Sequence, residues 1–68
     1  MMMGNLFDIF KIAKNGDPVW IEAAQSLEAA TAHVGALRES VPCDYVILSQ
    51  RTGKRIVFTA HGGIRRDD

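Results

Sequence analysis

Apolar and polar positions alternate along the first third of the chain with the two-residue period of β-strands. Residues 6–12 (LFDIFKI) and 19–23 (VWIEA) are rich in β-branched and aromatic side chains, which favour strands. Between them, Asn15-Gly16 supplies the positive φ that a tight turn requires. Pro18 lacks a backbone N–H, which suits the entrance of a strand. This pattern predicts a hairpin.

The period changes to that of a helix after Ser26. The apolar residues that recur at spacings of three or four positions are Leu27, Ala30, Val34 and Leu37. Ser26 is a good N-cap, and Glu28 lies in the first turn, where the helix dipole favours a negative charge. The sequence therefore predicts a helix over residues 27–39, which has ended by Pro42.

Strand patterns return in residues 44–50 (DYVILSQ) and 55–60 (RIVFTA), separated by a turn sequence at residues 51–54. The ββαββ order predicts an α+β domain with a four-stranded, mainly antiparallel sheet and one helix packed across one face. We expect this domain to span residues 5–61, followed by a flexible charged tail at residues 62–68.

The element order resembles that of the immunoglobulin-binding domain of protein G, and residues 50–54 (QRTGK) resemble the first hairpin turn of ubiquitin. These likenesses imply a β-grasp-like arrangement but no function. The chain also resembles small uncharacterised bacterial proteins of ββαββ pattern over most of its length. The segments that carry this resemblance are residues 7–11 (FDIFK), 16–23 (GDPVWIEA), 27–30 (LEAA), 45–47 (YVI) and 52–53 (TG). It implies a fold and a bacterial origin, with no known activity.

Strand alternation predicts which side chains of the first hairpin face the helix. Phe7 and Ile9 are expected on the helix side. In the second predicted strand, alternation places Val19, Ile21 and Ala23 on the helix side. It places Trp20 and Glu22 on the opposite side of the sheet, which we call the open face.

The faces of the second hairpin depend on the length of its turn, because a one-residue slip in register exchanges them. A three-residue loop at residues 51–53 pairs Leu48 with Ile56 and Val46 with Phe58, and turns all four toward the helix. A two-residue loop instead places Tyr45 and Ile47 inward. We prefer the three-residue loop, with Gly53 in the left-handed conformation.

With that register, the open face collects six apolar residues. They are Phe10, Ile12, Trp20, Tyr45, Ile47 and Val57. A contiguous patch of this kind is typical of an interface, so we expect a homodimer or a protein partner on the open face. The alternative is that strand twist separates these residues and that Lys11 and Arg55 cover the remainder.

Composition excludes little: 47% of residues are hydrophobic, 24% are charged and the formal net charge is zero. The charges are uneven, however, because residues 1–44 carry six acidic and three basic side chains. The second hairpin carries a basic patch, Arg51, Lys54 and Arg55. Basic β-ribbons bind DNA grooves, so weak nucleic-acid binding is the alternative function. Asp8 and Glu22 on the expected open face, and the zero net charge, count against it.

No catalytic, metal or cofactor site is predicted. His33 and Cys43 stand alone in the sequence. A lone cysteine such as Cys43 is more often a small apolar side chain packed in the core than a nucleophile paired with a histidine such as His33. We expect a cytoplasmic protein, because the chain has a single cysteine and lacks the features of a signal peptide. We expect no membrane contact, because its apolar stretches are shorter than the ~20 residues of a membrane span. We therefore expect a non-enzymatic interaction module.

Overall fold

The computed structural model describes residues 6–60 and 62–67, which form one helix and five strands. The elements in chain order are β1 (Phe7–Ile12), β2 (Pro18–Ala24), α1 (Leu27–Ser40), β3 (Tyr45–Ser49), β4 (Arg55–Phe58) and β5 (Ile64–Asp67). The predicted α+β class and ββαββ order are confirmed, and β5 extends them. The predicted domain limits, Asn5 and His61, and the last tail residue, Asp68, lie outside the described residues.

The first hairpin turns at Gly16, whose φ of +92° is the left-handed conformation expected there. The Ala13 N–H donates to the Asp17 carbonyl oxygen at 2.9 Å, and the Gly16 N–H donates to the Ala13 carbonyl at 2.8 Å. The Asn15 side-chain oxygen accepts the Asp17 N–H at 3.0 Å, a local bond that stabilises the turn.

A β-bulge interrupts the pairing of β1 with β2. Ile9 pairs with Glu22, but Phe10 pairs with Trp20, so Ile21 is the extra residue. The bulge changes the alternation of β2: Trp20 stays on the open face as predicted, whereas Glu22 and Ala24 lie on the helix side. The predicted placement of Glu22 on the open face and of Ala23 on the helix side is wrong, because simple alternation assumes an unbroken strand.

The helix begins where predicted. The Ser26 Oγ accepts the Ala29 N–H at 3.0 Å and caps the first turn. Ala30 and Val34 are fully buried, whereas Leu27, expected in the core, is 37% exposed. At the other end, the Val41 N–H donates to the Leu37 carbonyl at 2.7 Å.

The second hairpin lacks the expected three-residue loop, and the expected pairing of Leu48 with Ile56 and of Val46 with Phe58 is wrong. Tyr45 pairs with Phe58 and Ile47 with Ile56, and the Ser49 N–H donates to the Lys54 carbonyl at 2.9 Å. The loop therefore consists of residues 50–53, with Gly53 at a φ of +78°. An even-numbered loop gives the same faces as the two-residue alternative. Tyr45, Ile47, Ile56 and Phe58 consequently turn toward the helix, and Val46 and Leu48 turn away.

The described strands form one sheet in the order β2-β1-β3-β4-β5, and every pairing is antiparallel. Since β1 is antiparallel to both of its neighbours, β2 and β3 run parallel with β1 between them. Helix α1 makes this crossover and packs against β1, β2 and β3. The ββαββ order that carries the likeness to protein G is present, and in this sheet β1 pairs directly with β3.

Strand β5 was not predicted, because residues 62–68 were assigned to a charged tail. The turn before it is closed by the Thr59 N–H, which donates to the Gly63 carbonyl at 2.9 Å, and by the Gly63 N–H, which donates to the Thr59 Oγ1 at 2.8 Å. Residues 64–67 (IRRD) lack the apolar alternation of a half-buried strand. Edge strands commonly carry charge, so sequence pattern alone did not reveal this one.

The core lies between α1 and the inner face of the sheet. Its buried members among the described residues are Ile9, Ala24, Ala30, Val34, Tyr45, Ile47 and Phe58. Phe7, Ile21, Leu37 and Ile56 pack partly buried against them. Arg38 joins the helix to β4, because its guanidinium lies 5.9 Å from the centre of the Phe58 ring and donates to the Thr59 carbonyl at 3.1 Å.

Candidate interaction surface

A row of large apolar side chains crosses four strands on the open face. Trp20 on β2 pairs with Phe10 on β1, Phe10 with Val46 on β3, and Val46 with Val57 on β4. We call these four residues the apolar row. Ile12 and Leu48 lie on either side of it, two positions from Phe10 on β1 and from Val46 on β3. Helix α1 packs on the other face, so it does not cover this row.

A shallow groove of about 290 Å³ follows the middle of the open face. It is lined by Phe10, Ile12, Pro18, Val46, Leu48, Arg55 and Val57. Small-molecule pockets occupy about 300–1,000 Å³, so this groove is slightly smaller than that range. Its size is suited to a large side chain.

Trp20 is 56% exposed and pairs with Phe10, one of the residues that line this groove. Its indole N–H donates to the Asp8 Oδ1 at 3.2 Å. The Gln50 side-chain amide donates to both oxygens of the same carboxylate, at 3.0 and 2.9 Å. The Gln50 N–H also donates to the Leu6 carbonyl at 3.0 Å, which holds Gln50 beside β1. Asp8 thus fixes the indole on one side and is itself hydrogen-bonded on the other.

The structure places four of the six predicted interface residues on the open face. These are Phe10, Ile12, Trp20 and Val57. The placement of Tyr45 and Ile47 there is wrong, since each is only 1% exposed and lies beneath α1. Val46 and Leu48 take their places. Because residues 45–48 (YVIL) are all apolar, hydrophobicity alone does not distinguish the two faces of β3, and the parity of the loop decides them.

Tyr45 has a structural role at the end of the helix. Its hydroxyl donates to the Val41 carbonyl at 2.8 Å and lies 3.3 Å from the Leu37 carbonyl. Burial, followed by the hydrogen bond and the charge of Cys43, raises the pKa of Tyr45 to about 12. The phenol is therefore neutral at physiological pH and acts as a donor to the helix end.

His33 and Cys43 are not brought together. The His33 Nδ1 lies 2.6 Å from the Glu22 Oε2 and joins the middle of α1 to β2, whereas Cys43 lies beyond the helix end beside Tyr45. Both His33 and Glu22 are close to half exposed, at 48% and 41%, and exposed pairs of this kind contribute about 0–1 kcal/mol. The arrangement gives no support to a Cys–His nucleophilic pair.

The basic patch lies at the tip and on one strand of the second hairpin. Arg51, Lys54 and Arg55 are all exposed. The loop between them is ordered by the Lys54 N–H, which donates to the Thr52 Oγ1 at 3.2 Å. Arg55 also lines the groove, so the patch adjoins the apolar residues of the open face.

Residues 6–60 and 62–67 contain no cluster of three or more His, Cys, Asp or Glu side chains placed to hold a metal ion. Helix α1, the helix in this part of the chain, lacks the length and apolar character needed to cross a membrane.

Comparisons with known proteins supply no further guide to this surface. No protein-family model, curated protein or solved structure matches the chain. The resemblance to small uncharacterised bacterial proteins stays a prediction, and functional inference rests on the geometry of the open face.

Proposed function

We propose that this chain is a small non-enzymatic protein-interaction module that forms a homodimer through the open face of its sheet. The observation that carries the proposal is the apolar row, flanked by Ile12 and Leu48, on a face that α1 does not cover. Apolar surface left in water forgoes about 25 cal/mol per Å². A contact between two such faces removes the same patch from water twice.

The polar groups of the open face support association. An unpaired carboxylate would oppose burial, but the Asp8 carboxylate already accepts hydrogen bonds from Trp20 and Gln50. Glu22 lies on the helix side with His33 and does not place a charge in the contact. Arg55 lines the groove and supplies a positive charge on the same face.

Enzymatic activity has less support, because the two candidate reactive side chains, His33 and Cys43, lie apart and contact other residues. The proposal includes a cytoplasmic location, for which the single cysteine of the sequence is the supporting feature.

Sedimentation equilibrium of the unmodified protein, from low to high micromolar concentration, tests the proposal. We expect the apparent mass to rise from that of one 7.5 kDa chain toward twice that value. A single-chain mass at every concentration would refute the homodimer.

Nucleic-acid binding by the basic patch is the second candidate function. The observation in its favour is that Glu22 lies on the helix side, which removes one of the two acidic side chains expected to repel a phosphate backbone. Arg55 and aromatic Phe10 both line the groove, and an open sheet that combines aromatic and basic side chains is a common way to hold single-stranded bases.

A further inference from the structure

The strand register also specifies how two copies fit together. We infer that the two-fold axis of the dimer runs parallel to the strands, between β1 and β3, and that Trp20 of each copy inserts into the groove of the other copy above Val57. This arrangement rests on the proposed self-association and adds to it a defined contact between named residues.

Side chains of the open face fall into rows perpendicular to the strands. The apolar row is the middle one. On one side of it, Asp8 pairs with Ala23 and Leu48, and Leu48 pairs with Arg55. On the other side, Ile12 pairs with Pro18. Asp8 and Arg55 therefore occupy one row at different strands, and Asp67 of β5 continues this row beside Arg55.

A face-to-face dimer has its two-fold axis in the plane between the two sheets. Two orientations of that axis align the rows and strands of one copy with those of the other. An axis along the apolar row would keep each strand in place and exchange the outer rows. Asp8 of one copy would then lie against Ile12 of the other, and the two Trp20 side chains would meet. The most exposed side chain of the row, Trp20 at 56%, would then face its own copy and leave both grooves unfilled, so this placement is disfavoured.

The second orientation is an axis parallel to the strands, between β1 and β3. Each row then faces the same row of the second copy, whereas each strand faces a different strand. Strand β2 then faces β4 of the second copy, and β1 faces β3. Trp20 lies above Val57 and Phe10 above Val46, so the whole apolar row is covered. Arg55 of the second copy lies above Ala23, in the row that also contains Asp8.

The shapes of the two sides agree with this placement. The groove, at about 290 Å³, is slightly smaller than ligand pockets and suits one large side chain. Trp20 is 56% exposed, whereas Phe10, Val46 and Val57 are half-buried in the face. Trp20 is thus the projecting side chain, and its bond to Asp8 holds it in place before association. Tryptophan is also enriched at the energetic centres of interfaces.

Nuclear Overhauser contacts between copies test the arrangement. The sample is an equimolar mixture of isotopically labelled and unlabelled full-length protein, at a concentration where sedimentation shows the dimer. Trp20 is the single tryptophan of the chain, so its indole signals are unambiguous. Within one chain Trp20 and Val57 lie three strands apart, about 14 Å, which is beyond the range of the effect. We expect contacts between copies from the Trp20 indole to the methyl groups of Val57 and Val46.

The outcomes separate this inference from the proposed function. A dimeric mass with contacts between copies joining Ala23 to Pro18, or Ile12 to the Asp8 region, would show the other axis and overturn the arrangement while leaving self-association in place. A dimeric mass without any Trp20 contact between copies would overturn it as well. A monomeric mass would overturn both.

Discussion

The Tyr45 hydroxyl donates to the carbonyl oxygen of Val41 at 2.8 Å, across the junction between α1 and β3. The last carbonyl groups of a helix have no partner within it. Tyr45 supplies one, from a side chain that is 1% exposed. A single buried phenol thus connects the end of the helix to the centre of the sheet.

Replacing Tyr45 by phenylalanine should therefore destabilise the fold. The ring remains, but the Val41 carbonyl loses its donor, and we expect a loss of about 1–2 kcal/mol in the free energy of unfolding. Urea unfolding of the two proteins measures it. Since Tyr45 lies on the helix side, the sedimentation behaviour should not change, and an unchanged unfolding midpoint would contradict the role given to the hydroxyl.

The raised pKa of Tyr45 predicts a loss of stability in alkali. Because the folded value is about 12 and an unfolded tyrosine has a pKa of about 10, the folded state holds its proton more tightly. This contribution is fully present below about pH 10 and is lost as the pH rises from about 10 to 12. The difference in unfolding free energy between the native protein and Tyr45→Phe should shrink over that interval, whereas a constant difference would contradict the assignment.

Much of the fold follows from local signals in the sequence. The Asn15-Gly16 turn, the Ser26 cap and the helical spacing of Ala30, Val34 and Leu37 are each decided by a few neighbouring residues, and the structure confirms them. The errors arise at two positions where one additional residue reverses the alternation of inward and outward side chains. The bulge at Ile21 exchanges the faces of Glu22 and Ala23, and the even loop before Lys54 exchanges those of β3.

The candidate surface was predicted in part for the same reason. Phe10 and Val57 were assigned correctly because a charged residue, Asp8 or Arg55, marks the open face of the same strand. Trp20 was also assigned correctly, although Glu22, which was expected to mark its face, lies on the helix side of the bulge. Strand β3 offers four consecutive apolar residues, Tyr45 to Leu48, so either face satisfies the hydrophobic pattern. The number of residues in the loop at 50–53 sets the faces, and the sequence pattern does not fix that number.

Adjacent residues of β3 test the corrected faces. Ile47→Ala removes a side chain that is 1% exposed and should cost about 2–5 kcal/mol of folding stability. Val46→Ala, the matched control on the open face, should cost less in folding and should weaken association instead. Chemical denaturation at a low protein concentration, together with sedimentation, separates the two effects, and the reverse ranking would return β3 to the register first expected.

Trp20→Ala should convert the dimer to a monomer. The substitution removes the most exposed aromatic side chain of the apolar row, so the melting temperature should fall and become less dependent on protein concentration. Val19→Ala is the matched control, because Val19 is 47% exposed but pairs with Lys11 on the other side of the sheet. If both variants stay dimeric, the open face is not the interface.

Replacing Arg51, Lys54 and Arg55 by glutamine tests nucleic-acid binding. We expect the native protein not to retard DNA or RNA at physiological salt, because a zero net charge provides little long-range attraction to phosphates. Gel-shift titrations of the native and triple-variant proteins check this. Retardation by the native protein alone would favour the second candidate function over the first.

The bulge at Ile21 affects whether further strands can add to the edge of the sheet. Strand β2 is at one border of the described sheet, and a long, regular border strand offers its free N–H and C=O groups as a template for unlimited strand addition. Here the bulge breaks that ladder within β2, and Pro18 at its start lacks an N–H to donate. Growth by edge-to-edge pairing at β2 is therefore discouraged, which leaves the face of the sheet for the proposed two-fold contact, and such a contact closes on itself after two copies.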